Sequence, residues 1–351
     1  MPPLISRISD WRVWLTLAAG ALGGWAAAAV RLPLPWVLGS MLAVAAVTLG
    51  GVGATQPIAG RRIAQMTIGV ALGLGFTPPV LRSVAAMGHW LVLGAVYSLV
   101  LSALAARLFQ RWARVDAMTA AYSTAVGASA EMALQAQRAG ANGAVVASSH
   151  AVRITVVVTL ASFIARLTGE HGDALADPTA QTLSLQMSIV FAVLAVAAGW
   201  IGQRIRLPNA FLLGPVIMAA SFAANGVVAR LHPWALEAAQ IVIGWGLGQH
   251  MTRQFFMTSP RILAVSSAIT VAMLGICVMA AAAMHTVAGV SLLTAFLSLA
   301  PGGTAEMAII AKTYGIGAPA VTAFHFFRVV ATIVLTGWMA QKLANSGWLT
   351  R

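Results

Sequence analysis

Glu131, His150 and Arg153 stand in long apolar sequence, and so do Glu306, His325 and Arg328. Ionisable side chains are costly in hydrocarbon and, where they occur there, mark a functional site by default. A carboxylate, an imidazole and a guanidinium can together bind an anionic group, pass a proton or pair with one another. The second set follows the first at one fixed offset, 175 positions for each of the three residues. The chain therefore carries the same chemistry twice, by duplication.

Both glutamates follow chain breakers. Gly127 precedes Ser129 and Glu131, and Pro301-Gly302-Gly303 precedes Thr304 and Glu306. Proline lacks a backbone donor and glycine adds backbone freedom, so a helix entering either stretch is expected to be interrupted. The N-terminus of the helix that resumes would present amide donors to an anionic group, with hydroxyls from Ser123, Thr124, Ser129, Ser298 and Thr304. A His and an Arg three positions apart share one helix face. From that face Arg153 and Arg328 could each hold a carboxylate bidentately, the glutamate of its own half or a substrate's. Glu131 and Glu306 are the expected proton carriers. The alternative is structural: Glu131 with Arg153 and Glu306 with Arg328 as buried ion pairs fixing helix packing, and the histidines as hydrogen-bonded core groups.

Gln65 and Gln240 stand just before Gly69, Gly73 and Gly244, Gly248, and could line a cavity or bridge helices. The glycine spacing itself is that of close helix packing. The remaining histidines are scattered without metal-ligand spacing, so no metal, no cofactor and no catalytic residue is expected.

The elements that must position these groups are membrane helices. The 351 residues are 60 % hydrophobic and 8 % charged, too few charges to cover a soluble globule, and apolar runs of spanning length recur throughout. The net charge of +13 is spread as single or paired arginines at the ends of apolar runs. That is the pattern of topology determinants, not the clustered footprint of direct nucleic-acid binding. Cys277 is the sole cysteine, which excludes an internal disulfide. Gly24, Trp25 and Arg31 match Gly199, Trp200 and Arg206 at the same offset, so the first apolar run is read as part of the fold and not as a signal peptide.

Three parts follow: residues 1–167 as a first membrane repeat, 168–182 as a polar linker, and 183–351 as a second repeat. If each glutamate segment returns to the side it entered from, each half crosses five times and the halves are inverted. With a cytoplasmic N-terminus that arrangement puts fourteen Lys and Arg inside and five outside. Parallel halves of six crossings give eleven and eight, a weaker positive-inside bias. The expected fold is an all-α polytopic membrane protein, an inverted repeat of two halves with about five transmembrane helices and one broken or re-entrant segment each. It is expected in a bacterial inner membrane with both termini cytoplasmic, its partners the lipid bilayer and a small-molecule solute, with a homodimer suggested by the architecture. Inverted repeats bring broken helices together near the bilayer midplane, where secondary transporters bind substrate and coupling ion.

Pro301-Gly302-Gly303-Thr304-Ala305-Glu306-Met307 with its His325-Phe326-Phe327-Arg328 partner, and the paired Leu-Pro-x-x-x-x-Leu-Gly at 32–39 and 207–214, resemble the AbrB-duplication family of bacterial membrane proteins. The resemblance covers essentially the whole chain. It implies the labels carried by that family: ammonia monooxygenase, AbrB-family transcriptional regulator and regulator of an alkylation-response gene. A copper or iron monooxygenase would need a His or carboxylate cluster, and a transcription factor a soluble basic module; neither is evident in the sequence. The first expectation is therefore a proton-coupled secondary transporter of a small anionic or zwitterionic solute, working by movement of one bundle against another. The second is a membrane sensor or regulator that changes gene expression indirectly. The first copy departs from the family pattern, with Val126-Gly127-Ala128 where the second has Pro301-Gly302-Gly303, so its break is expected to be softer.

Overall fold

A computed structural model describes residues 10–53, 55–127, 129–169, 180–258 and 260–345. The acidic residues of the expected linker, Glu170, Asp173 and Asp177, lie outside them. The first half forms α1 (Trp11–Ala29), α2 (Pro35–Leu49), α3 (Ile58–Gly73), α4 (Pro78–Ala86), α5 (Gly88–Ala113), α6 (Ala117–Thr124), α7 (Ser129–Arg138) and α8 (Gly143–Thr168). The second forms α9 (Leu185–Arg204), α10 (Ala210–Ala224), α11 (Pro233–Gly248), α12 (Arg253–Thr258), α13 (Pro260–Ala288), α14 (Leu292–Leu299), α15 (Thr304–Thr313) and α16 (Ala318–Asn345). A two-residue parallel pairing joins β1 (Gln181–Thr182) to β2 (Ala229–Arg230).

The halves repeat at the level of the backbone. The bounds of α10, α11, α14 and α15 are those of α2, α3, α6 and α7 displaced by 175 residues. Left-handed φ at Arg31, Leu34, Gly51, Arg114 and Gly140 recurs at Arg206, Asn209, Gly226, Gly289 and Gly315. Such a conformation is strained for a residue with a Cβ. Its retention at Leu34 and Asn209 means that both halves make the same turn after their first helix, although the side chains differ.

Two compact units form, and each draws on both halves: Met1–Pro79 with Ala176–Thr258, and Val80–Leu175 with Ser259–Arg351. In the first unit α3 packs on α10 and α11 packs on α2, the reciprocal contact a two-fold axis generates. Glycines permit it. A Cβ at Gly69 or Gly73 would strike the backbone of α10 at Leu212 or Val216, and one at Gly244 or Gly248 the backbone of α2 at Val37 or Met41. The ladder therefore serves close packing. Gln65 bridges helices in the same unit, donating from Nε2 to Oδ1 of Asn209, the residue before α10, at 3.0 Å. Gln240 is buried within α11.

In the second unit α5 packs on α16 and α13 on α8, again reciprocally. Leu101, Phe109, Ile269 and Met273 form a core between helices of different halves.

Among the described residues five helices are long and apolar enough to cross a membrane: α5, α8, α9, α13 and α16. Helices α2 and α10 are apolar but have 15 residues, reaching about 22 Å against a hydrocarbon core of roughly 30 Å. Leu185, Ile189, Val193 and Ile201 of α9 face outward, a costly apolar surface in water and the ordinary one in lipid. The chain is an all-α, multi-pass membrane protein.

Candidate functional site

Both interrupted segments lie in the second unit. The break after α6 includes residues 125–127, and that between α14 and α15 spans residues 300–303. Asp116 starts α6 by accepting the Thr119 N–H at 2.8 Å, and Ser291 starts α14 by accepting the Thr294 N–H at 3.2 Å. At the other end Ala125 (ψ 124°) and Ala300 (ψ 137°) leave the helix for extended backbone. Pro301 accounts for Ala300, because the residue before a proline is driven from the helical region.

Val126 has no such effect, yet Ala125 leaves the helix as Ala300 does. Ser102 supplies the reason. The Val126 N–H, which a proline would lack, donates to Ser102 Oγ at 3.2 Å, and Thr124 Oγ1 donates to Ser102 O at 3.1 Å. The counterpart of Ser102 is Cys277, whose Sγ lies 3.5 Å from Phe296 O. Beside Pro301 no N–H needs a hydroxyl, and a thiol suffices.

A helix that stops leaves its last carbonyls without intrahelical partners, and in lipid these must be satisfied by protein. Helices α8 and α16 supply the donors. His150 Nε2 lies 2.9 Å from Tyr122 O, and His325 Nε2 lies 2.9 Å from Leu297 O. Arg153 Nη1 donates to Ser123 O at 3.4 Å and Thr124 O at 3.2 Å. Arg328 donates to Ala300 O at 2.6 Å and to Gly302 O at 2.7 Å. Each arginine also places Nη2 at 2.9 Å from Nδ1 of the histidine one turn before it.

These contacts fix the histidine tautomers. A guanidinium can only donate and a carbonyl can only accept. Nδ1 of each ring therefore accepts and Nε2 carries the hydrogen, so both imidazoles are neutral. The two histidines are 0 % exposed and the arginines 4 % and 3 %. Each guanidinium thus sits at the negative, C-terminal end of a half-helix. Among the described residues its Nη donors go to carbonyls and imidazole, not to a glutamate carboxylate.

The glutamates occupy the opposite ends of the breaks. Glu306 is in the first turn of α15, and its carboxylate folds back over Gly303, where any side chain would overlap it. A carboxylate there is favoured by the positive end of the helix dipole. Glu131, partly exposed, holds the same position in α7, beside a partly exposed Ser129; Thr304 is buried. The two breaks are also joined through α16. The Thr332 hydroxyl, one turn beyond Arg328, is shared between Arg328 O at 2.8 Å and Val126 O at 3.3 Å, and a Cβ at Gly127 would come within 3.0 Å of Thr332 Cγ2.

One unit therefore holds Glu131, His150, Arg153, Gly127 and Ser129 together with Glu306, His325, Arg328, Gly302, Gly303 and Thr304, whereas Gln65 and Gln240 belong to the other. Ser102 and Thr332 were not legible as site residues. The counterpart of Thr332 is Val157, so duplication gives no signal for it. Among the described residues no three His, Cys, Asp or Glu side chains gather as metal ligands.

The profile of the family described as transition state regulatory protein AbrB matches residues 52–344. The chain belongs to the AbrB family. Two relatives match it nearly end to end. One, from Bacillus subtilis (strain 168), bears the name "Uncharacterized protein YhjN" and is 26 % identical over 346 residues, covering 91 % of this chain and 90 % of the relative. The other, from Escherichia coli (strain K12), bears the name "Putative regulator AbrB" and is 26 % identical over 314 residues, covering 88 % and 89 %. The likeness to AbrB-family proteins thus includes both helix breaks.

Proposed function

We propose that this AbrB-family membrane protein is a secondary transporter, proton-coupled and selective for a small anionic or zwitterionic solute, with its site at the two helix breaks. The observation that carries this reading is the pair of breaks in one compact unit. In each, a buried arginine neutralises the C-terminal end of one half-helix and a glutamate stands at the N-terminal end of the next. Interrupted helices whose ends bear opposite partial charge are the means by which transporter folds present binding groups inside lipid. In this reading the arginines and neutral histidines keep the breaks open. Glu131 and Glu306 exchange the coupled proton, and the N-terminal amides of α7 and α15 receive the solute's anionic group. Two separately compact units supply parts for movement of one bundle against another. In this reading the protein lies in a bacterial inner membrane with both termini cytoplasmic, an orientation supported by the positive-inside bias.

The test is proton movement in proteoliposomes loaded with a pH dye, as pools of small organic anions and amino compounds are added. A solute-dependent proton flux in the wild type, lost in Glu131→Gln and Glu306→Gln, is the expected result. No flux with any pool, from protein that is folded, would contradict it. That outcome would favour a membrane sensor acting on gene expression indirectly, a reading supported by the word "regulator" in the name of the Escherichia coli relative.

A further inference from the structure

Behind the first break, wholly inside the second unit, Ser123, Ser149, Arg153 and Ser266 line one narrow cavity together with Ile269 and Thr270. Each of these four residues carries a buried side-chain atom that has no hydrogen-bond partner among the described residues: Ser123 Oγ, Ser149 Oγ, Arg153 Nε and Ser266 Oγ. Their residues are 3 %, 2 %, 4 % and 4 % exposed. Buried polar atoms are as a rule hydrogen-bonded, because an unmade bond costs the full desolvation of the group. Four exceptions around one space call for a common partner.

The chemistry of the wall selects that partner. Arg153 has committed its Nη atoms to the carbonyls of α6 and to His150, which leaves Nε–H directed elsewhere. That group can only donate, and each serine hydroxyl can turn to donate. The threonines do not compete: Thr270 Oγ1 donates to Ser266 O at 2.7 Å, and Thr124 Oγ1 is engaged by Ser102 O and Ala120 O. Among the described residues no carboxylate lines the space. A guanidinium at the wall repels a metal cation and attracts a negative charge, strongly so at low dielectric. The space has room for little more than one small particle, so an organic solute does not fit.

The second break lacks this arrangement. Arg328 Nε and Ser298 Oγ repeat Arg153 Nε and Ser123 Oγ and are likewise without a partner among the described residues. At the other two positions Ser149 becomes Phe324 and Ser266 becomes Leu91. The Phe324 ring lies against Gly94, the counterpart of Ile269, so closely that a Cβ there would be 2.9 Å from it. One copy pairs a small polar residue with a large apolar one, and the other pairs a ring with a glycine. Duplicated backbones thus carry different interiors.

We propose that the cavity at the first break is a binding site for a monatomic anion of chloride or bromide size, held by Arg153 Nε–H and the hydroxyls of Ser123, Ser149 and Ser266. The site is separate from the glutamate ends of the breaks and does not rest on the transport reading. Its readout is binding, with no flux required.

A ligand that binds the folded state alone raises the unfolding temperature in proportion to its occupancy. Full-length purified protein is therefore melted at constant ionic strength as potassium gluconate is replaced by chloride or bromide. The expected result is a saturable rise of a few degrees with either halide. Ser266→Ala, which removes one neutral donor, should weaken the apparent halide affinity about three- to tenfold. Ser149→Phe combined with Ile269→Gly, which carries the second copy's pair into the first, should abolish the rise. Wild-type protein that melts identically in halide and gluconate would overturn the proposal and leave the cavity to water. A halide effect of unchanged affinity in Ser266→Ala would also overturn it, and that variant decides the matter if the double variant does not fold.

Discussion

Replacing Arg328 with methionine keeps an unbranched side chain and removes the donor fork. Three acceptors then lose their partner: Ala300 O at 2.6 Å, Gly302 O at 2.7 Å and His325 Nδ1 at 2.9 Å. A buried acceptor left unpartnered costs about 1–3 kcal/mol, or roughly 3–9 kcal/mol for three. Against this stands the desolvation of the guanidinium, a penalty of several kcal/mol that methionine does not incur. The balance is a loss of about 2–5 kcal/mol. Arg153→Met should cost less, because its carbonyl contacts at 3.4 and 3.2 Å are near the outer limit for a hydrogen bond. The protein provides its own reporter, since Cys277 is its one cysteine and is fully buried in the same unit. Thermal unfolding followed with a thiol-reactive dye should place Arg328→Met about 3–10 °C below wild type, with Arg153→Met between them. Arg328→Met melting with the wild type, or above Arg153→Met, would refute the claim that the guanidinium holds the break.

The two solutions to the break can be exchanged. Ser102→Ala should cost about 1–2 kcal/mol by stranding the Val126 N–H, and less than half of that in a Val126→Pro background, where the N–H is gone. Equal costs in the two backgrounds, measured as a double-mutant cycle, would show that Ser102 acts some other way. Gly244→Ala must push α11 off Val37 and Ser40 and should destabilise by about 1–3 kcal/mol. Gly275→Ala, in open space within α13, should be neutral or stabilise by up to about 1 kcal/mol; the same melting temperature for both would sink the packing role of the ladder. Nitrogen-15 spectra of labelled protein should show His150 and His325 as neutral rings protonated at Nε2, and a hydrogen on Nδ1 of either would contradict the bond from its arginine.

Much of this was legible in the chain because duplication writes the same constraint twice. The fixed offset revealed Glu131 with Glu306 and His150-Arg153 with His325-Arg328, and the glycines and proline placed the breaks. The partners of the arginines were not legible. An interrupted helix creates bare carbonyls, and backbone groups have no letter in a sequence, so the visible glutamates drew the expectation instead. The bond that stands in for a proline at Val126 was hidden for a related reason: it comes from Ser102, 24 residues away on another helix. The division into units was hidden too, since α3 meets α10 and α5 meets α16 only after folding. The exchange of Ser149 and Ile269 for Phe324 and Gly94 is a packing compensation between helices, and no periodicity records it.

The central claim is that the region around the helix breaks opens in turn to both sides of the membrane. Ser129→Cys in a Cys277→Ser background puts one thiol at the start of α7, two residues before Glu131. Its labelling by a membrane-impermeant maleimide is measured in right-side-out and in inverted vesicles under a pH gradient of either direction. Labelling from both sides, in a ratio that shifts with the gradient, is the predicted result. Labelling from one side alone under both gradients would contradict a transporter.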